Sequence, residues 1–463
     1  MYSATVKPVQ SLDQQYLDFT ARTASVFDQY PQLEPLRYFI FKQLLIQRHS
    51  VGWTGRVKHW LRPLLRPTHT HRGSDRAEVL IWIESGREVI VDALLPVYSE
   101  LVSRGVEVKL VAWAGPDDLP DSTIHIQVPG RAIPPAWTRD AWEALGHVAP
   151  ELNDPSLARS FFFTCANLQA QYDELDQVLN ELDPKVALVA STQLAGGASL
   201  VVACRWRGVL SLLLQHGIVQ AFYTPVLADY MLTWGQTSNE TLMHLGVEAE
   251  KLIPLGSPRH DAMVPSSDGR GRAALLGALS LPDRPTFVFF SNGNDLVRNA
   301  DAPLECAKWL ETTAAQFSGD INIVVRLHPN ENGRLYRGCR RLHITKNSLD
   351  LATMLDGCDW VGSLCSTVLY DALLYQKPVW QFYADGWPEL ADNWKNGLAI
   401  RISSQCQLSE MVSRILVVGR DHAANDGVIS RVFSNHGRAT QAIADFVQSP
   451  LEEKSGGFEI LKG

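Results

Sequence analysis

The chain has no run of about 20 apolar residues, the length a membrane-spanning helix requires, so no transmembrane segment is expected. Its first ten residues lack a basic start followed by an apolar stretch, and no signal peptide is expected either. Seven cysteines, an odd number without CxxC or paired Cys/His spacing, make neither a disulfide framework nor a zinc site. Reduced thiols in a cytoplasmic compartment are the simpler reading. Neither GxGxxG nor GxxxxGK[ST] occurs, which weighs against dinucleotide-dependent redox chemistry and P-loop chemistry. A net charge of −8 argues against a surface built for nucleic acid. Acidic residues are missing from one stretch, residues 36–74, which holds Arg37, Lys42, Arg48, Arg56, Lys58, Arg62, Arg66 and Arg72 among several aromatics. Such a stretch either lies on anionic lipid at the inner face of the cell membrane or packs as a helix with a solvated basic face.

What is present is a soluble composition, 46% hydrophobic and 20% charged, over 463 residues. That length predicts two domains with extensions. From residue 78 on, short apolar runs alternate with helical patterns: a run at 79–83, a helix stopped by Gly105, a run at 106–111. This is the βαβ rhythm of a parallel sheet. A proline-rich excursion over 116–155 precedes one long helix, 161–182, and further strands lie at 186–190 and 209–214. The predicted architecture is α/β: two Rossmann-like doubly wound domains facing across a cleft, with an N-terminal helical extension. Its expected parts are a basic helical extension (1–76), an N-terminal acceptor domain (77–263) and a linker (264–285). A C-terminal nucleotide-donor domain (286–435) and a last helix with a tail (436–463) complete it.

Three signatures sit where a buried strand gives way to a loop, which is where open α/β sheets take ligands. They are Gln215-His216-Gly217, Gly256-Ser257-Pro258-Arg259-His260-Asp261 and Arg326-Leu327-His328-Pro329-Asn330. A neutral His216 could act as general base on a hydroxyl. Alternatively Asp261 is the base and His216 a binding group, or Arg259 and Asp261 form an ion pair that holds the loop. Arg326 and His328 suit phosphate or sugar-oxygen recognition, and Pro329 stops the strand. Ser366-Thr367 opens a helix after the strand at 360–362, where free N–H groups and hydroxyls favour a diphosphate. Asp371, one turn on, could accept hydrogen bonds from ribose hydroxyls. The bland alternative for this pair is a capping hydroxyl with a solvent-facing Asp.

These motifs, in this order, resemble bacterial surface-carbohydrate (capsule-type) biosynthesis proteins of the GT-B glycosyltransferase fold. The resemblance runs from about residue 78 to 448 and is strongest over 213–382, through Leu214–Gly217, Gly256–Asp261, Arg326–Asn330 and Gly362–Pro378. The chain is also similar in motifs to CDP-glycerol glycerophosphotransferases, although Ile218-Val219-Gln220 stands where those usually carry Thr-Pro and a lysine. The resemblance implies a sugar transfer from a nucleotide-sugar donor to a surface polysaccharide or lipid-linked glycan acceptor. His328, Ser366, Thr367 and Asp371 would bind the nucleotide, with Asn292, Asn294 and Arg326 close by. His216 and Asp261 would activate the acceptor, and no metal or other cofactor is expected. Glycerophosphate transfer, a UDP-N-acetylglucosamine 2-epimerase-like reaction and a non-catalytic role in a membrane-associated assembly are the alternatives.

Overall fold

The apolar runs become strands buried on both faces. In the computed structural model, β1 (Val79–Ile83), β2 (Val108–Ala112), β3 (Ile124–His125), β4 (Val186–Val189), β5 (Leu210–Leu214), β6 (Tyr230–Thr233) and β7 (Leu252–Pro254) form one seven-stranded sheet. Its order is β3-β2-β1-β4-β5-β6-β7 and every pair is parallel. All residues of β1 and β4 are buried, as expected where helices cover both faces of a parallel sheet. A second sheet holds β8 (Thr286–Phe290), β9 (Asn322–Arg326), β10 (His343–Thr345), β11 (Trp360–Ser363), β12 (Val379–Phe382) and β13 (Ile400–Ile402), in the order β10-β9-β8-β11-β12-β13, again all parallel. The structure describes residues 12–48, 76–113, 119–126, 133–266, 269–291, 301–329, 331–346, 349–384, 387, 393–395, 397–418 and 426–452.

The chain divides into two compact units, each an α/β doubly wound sheet. The N-terminal unit comprises Leu12–Asp261 and the segment from Phe433 onward; the C-terminal unit comprises Ala262–Val432. The return at Phe433 has a packing cause. Phe433, 1% exposed, lies against Trp234 and His260, with ring centroids 5.5 and 4.6 Å away. The following helix, Ala439–Glu452, places Ile443, Ala444 and Val447 in one core cluster with Ile90, Leu94, Val97 and Leu101 of the helix Glu88–Ser103. Burying a side chain of that size contributes about 2 kcal/mol. Arg104 fixes the register of the two helices through Asp445 at 2.6 Å and Gln448 at 2.7 Å.

The long helix begins earlier than its apolar pattern, at Pro155–Leu182, because Asp154 caps it. The Asp154 carboxylate accepts from Ser156 N at 2.7 Å and Leu157 N at 3.3 Å, with proline in the first turn. The proline-rich excursion also holds a helix that the sequence pattern did not announce, Trp137–Val148, opened by Thr138 donating to Pro135 O at 2.6 Å. The stretch 264–285 carries the helix Arg270–Ala278, packed on Leu351–Gly357 so closely that a β-carbon on Gly271 would stand 2.1 Å from an Asp356 oxygen. Buried Asp359 accepts from Thr286 N at 2.7 Å and Arg272 at 2.9 Å, tying this stretch to β8.

At the N-terminus, the helices Leu12–Gln29 and Arg37–Arg48 join the core of the N-terminal unit. Arg37, first of the basic run, is not on a solvated face. It pairs with Glu34 at 2.7 Å and lies 3.8 Å from the Phe27 ring centroid. The part of the basic stretch from residue 49 to 74 falls outside the described residues. Among the described residues, no helix is long and apolar enough to cross a membrane.

Candidate functional site

In the N-terminal unit, chain connections run one way from β1 and the other way from β4, so the gap between these neighbours is the switch point. Glu84 ends β1 here. Its two carboxylate oxygens accept the N–H groups of Gly196 and Gly197, each at 2.8 Å, at the start of the helix Ala195–Arg207 that follows β4. The glycines are required by space. A β-carbon on Gly197 would stand 2.0 Å from the Ser191 carbonyl oxygen, and one on Gly196 would stand 2.8 Å from a Glu84 oxygen. Burial pushes the Glu84 carboxyl up to about 7, against the opposing pull of the two amides and of the Arg87 charge.

His216 follows β5, next to β4 in the sheet. Gln215 builds the turn: its side chain donates to Gly217 O at 2.9 Å and accepts from Trp234 N at 2.8 Å, while its backbone carbonyl accepts from the Trp234 indole at 2.9 Å. His216 Nδ1 lies 3.4 Å from the Tyr223 hydroxyl, and a hydrogen bond joins the imidazole to the Ala190 backbone. Burial holds its pKa down to about 4, with the Arg87 and Arg259 charges adding to that and the Ala190 bond opposing it. The ring is therefore neutral at physiological pH, as a general base must be. The N-terminal helices buttress this loop. Tyr16 donates to Thr224 O at 3.0 Å, and Phe222 packs 5.1 Å from Tyr16 and 5.0 Å from Tyr38.

The GSPRHD signature has a different job from the one its polarity suggests. Gly256, at φ +99°, approaches Ser434 so closely that a β-carbon would stand 2.1 Å from its carbonyl oxygen. Ser257 pairs with His260 Nδ1 at 2.6 Å, and buried His260 accepts through its carbonyl from His436 at 3.0 Å. Asp261 caps the helix Ala439–Glu452. Its carboxylate accepts from Ala439 N at 2.9 Å, Thr440 N at 2.8 Å and the Thr440 hydroxyl at 2.7 Å. Three donors on one carboxylate are the chemistry of a cap, so the base assignment is carried forward for His216 alone. Arg259 is partly exposed, as is Asp261, and its charge acts on Asp92 and His216.

In the C-terminal unit the switch point lies between β8 and β11. Arg326 and His328 end β9, beside β8; Ser366 and Thr367 follow β11 on its other side. Arg326 lies 5.9 Å from the centroid of Phe290, its partner in register. His328 and Glu331 close a turn through Glu331 N to His328 O at 2.8 Å, with Pro329 at its second position. Ser291 locks that turn to β8: its hydroxyl accepts from His328 N at 2.9 Å and donates to the Glu331 carboxylate. Lys346 donates to Glu331 O at 2.8 Å.

Two expectations for this unit change. The helix after Thr367 is short, Val368–Leu374, and its first amides are already used. Val368 N donates to Ser366 Oγ at 3.3 Å, Leu369 N to Ser366 O at 3.1 Å, Tyr370 N and Asp371 N to Thr367 O at 2.9 and 3.3 Å. The tight turn leaves these donors pointing at their own loop, so an anion there would meet hydroxyls more than free N–H groups. Asp371 is 1% exposed, turned into the unit and not toward solvent. Asn292 and Asn294 lie outside the described residues. Sequence reasoning missed Glu84, Arg87, Ser291 and Glu331. The one signal for the first was the Gly196-Gly197 pair, which marks a close approach but not by what.

Both units thus carry polar side chains at the C-terminal edge of a doubly wound parallel sheet. The fold is GT-B-like. Solved structures of similar fold include a UDP-GlcNAc 2-epimerase from Methanocaldococcus jannaschii, at 13% identity and a TM-score of 0.53 over 80% of this chain and 100% of that one. A glycosyltransferase from Rickettsia africae is similar at 11% identity and a TM-score of 0.53, over 82% and 100%. The Anabaena protein HepE, solved in complex with UDP and glucose, is similar at 14% identity and a TM-score of 0.52, over 81% and 100%. No family model and no curated protein matches the sequence.

Proposed function

We propose that the chain is a glycosyltransferase that moves a sugar from a nucleotide-sugar donor to a surface polysaccharide or lipid-linked glycan. The observation that carries this reading is the pair of loops flanking β8. Arg326 and His328 on one side, with Ser366 and Thr367 on the other, set a guanidinium, an imidazole and two hydroxyls at the switch point of one sheet. That set suits a nucleoside diphosphate without a metal. HepE, of the same fold, was solved with UDP and glucose, which supports the donor class. His216, neutral and fixed by Gln215, Tyr223 and Ala190, is the base assigned to the acceptor hydroxyl. In the transfer, the acceptor oxygen bonds to the sugar C1, its proton goes to His216, and the nucleoside diphosphate leaves with the C1–O electron pair.

A second reading, epimerisation of the donor sugar, is favoured by the fold shared with UDP-GlcNAc 2-epimerases. One experiment separates the two. The protein is incubated with a panel of nucleotide sugars, UDP-GlcNAc and UDP-glucose first, with and without a glycan acceptor extract. Release of the nucleoside diphosphate that depends on acceptor supports transfer. A new sugar isomer formed without acceptor would sink it in favour of epimerisation. Binding is read separately by thermal shift against UDP, CDP, CMP and GDP, since a ligand at 100 times its Kd stabilises by about 2.7 kcal/mol.

A further inference from the structure

Glu84 is a half-buried ionisable group that the proposed reaction leaves unused. It reaches across 112 residues of sequence to take both amides of the Gly196-Gly197 pair. An ordinary cap would come from the residue before the helix, and there Leu194 offers no acceptor. The arrangement is costly. Burial outweighs the two amides and Arg87, so a charge on Glu84 is less stable here than in water. Groups held at such a cost concentrate at functional sites.

What the carboxylate holds is the turn from Ala190 to Gly197. Gly197 has the Ser191 carbonyl directly against its α-carbon, so the turn has no slack. Ala190, where the turn leaves β4, is the backbone partner of the His216 imidazole. Carboxylate, turn, Ala190 and imidazole form one continuous chain of contacts inside the N-terminal unit. The other charges near it are Arg87, on the same loop as Glu84 and acting on both Glu84 and His216; Arg259, from the loop after β7, acting on His216; and Asp92, on the helix Glu88–Ser103, within reach of Arg259.

We propose that Glu84 is a positioning residue: ionised, it pins the Ala190–Gly197 turn and so fixes the orientation and tautomer of His216; protonated, it loosens both. The proposal rests on His216 as the proton acceptor for its effect on turnover, but its structural half stands apart from that reading. The test uses the full chain with ¹⁵N-labelled histidine, His216 being assigned with His216→Asn. In the wild type the His216 ring signals shift between pH 6 and pH 8 along a single-proton curve, although the ring itself stays neutral. In Glu84→Gln, which keeps the volume and cannot ionise, they stay flat. Glu84→Asp keeps the charge and shortens the reach; it moves the midpoint and serves where the glutamine variant folds poorly. Signals that are flat in the wild type, or that titrate unchanged in both variants, overturn the proposal. Turnover is then followed with the nucleotide sugar active in the panel above. Wild-type kcat falls about tenfold per pH unit below the Glu84 midpoint, and the glutamine variant loses that limb while KM changes less than about twofold. If the signals couple but His216→Ala keeps wild-type turnover, the base reading fails and the positioning of His216 by Glu84 survives.

Discussion

The two sheets share one strand order: β3-β2-β1-β4 and β10-β9-β8-β11 are the same path through the same topology. Yet their switch points are furnished in opposite ways. In the N-terminal unit the helix after β4 receives a carboxylate of the chain itself, Glu84, on two of its first amides. In the C-terminal unit the helix after β11 spends its first amides on Ser366 and Thr367, and the guanidinium of Arg326 and the imidazole of His328 come from the strand beside. One unit carries its own anion; the other gathers groups that suit a foreign one. Topology therefore says where a ligand can bind, and the loops decide whether the place is open.

The comparison can be broken most sharply at Gly197. Gly197→Ala puts a β-carbon 2.0 Å from the Ser191 oxygen, and a loss of about 3 kcal/mol is expected in denaturant melts, whereas Gly217→Ala, with its nearest neighbour at 3.6 Å, should change little. Equal, small effects would mean that the turn yields. Next comes pH. The Glu84 carboxyl is raised in the fold, from 4.5 to about 7, so its contribution is full below pH 4.5 and is lost as pH rises through 7. His216 is lowered, from 6.5 to about 4, so its contribution is full above pH 6.5 and is lost as pH falls through 4. Each term is worth at most about 3 kcal/mol, and the two oppose each other. Glu84→Gln should make stability rise with pH between 4 and 6.5; His216→Asn should make it fall between 4.5 and 7. Parallel curves for wild type and both variants would reject this assignment.

Asp261→Ala should cost about 2 kcal/mol and leave turnover within about threefold, since it loses a cap and not a base. A hundredfold loss of turnover in a folded variant would restore Asp261 to the chemistry. The smallest effect sharpens the C-terminal half of the comparison. Arg326→Ala and His328→Ala should each weaken nucleotide binding about tenfold, or about 1.4 kcal/mol, and Ser366→Ala less, because the Ser366 turn offers few free donors. Calorimetric titration with UDP decides, and a reversed ranking would reinstate the helix start as the main anion site.

The strands were legible because a sheet covered on both faces needs continuous apolar runs, and Val79-Leu80-Ile81-Trp82-Ile83 can be little else. The place of Gln215-His216-Gly217 and Arg326–Pro329 at strand ends was legible because a glycine or proline closes each apolar run. Glu84 was not, because one acid in a loop reads as solvated until its partners, more than a hundred residues on, are known. The partners of GSPRHD were hidden for the same reason: Ser434, Ala439 and Thr440, which fill its turn and take its carboxylate, lie some 180 residues away. Local spacing announces that a loop is special and says nothing of what occupies it.

The return of the chain at Phe433 also sets an order of events on the ribosome. Trp234, His260 and the apolar face of Glu88–Ser103 are synthesised early, but Phe433, Ile443 and Val447, which cover them, come last. At 5–20 residues per second roughly 10–40 s separate Trp234 from Phe433 and roughly 17–70 s separate the helix Glu88–Ser103 from Ile443, during which the older unit waits with part of its core open. A nascent chain halted anywhere before the final helix would then be a target for chaperones and proteases, however complete its first sheet.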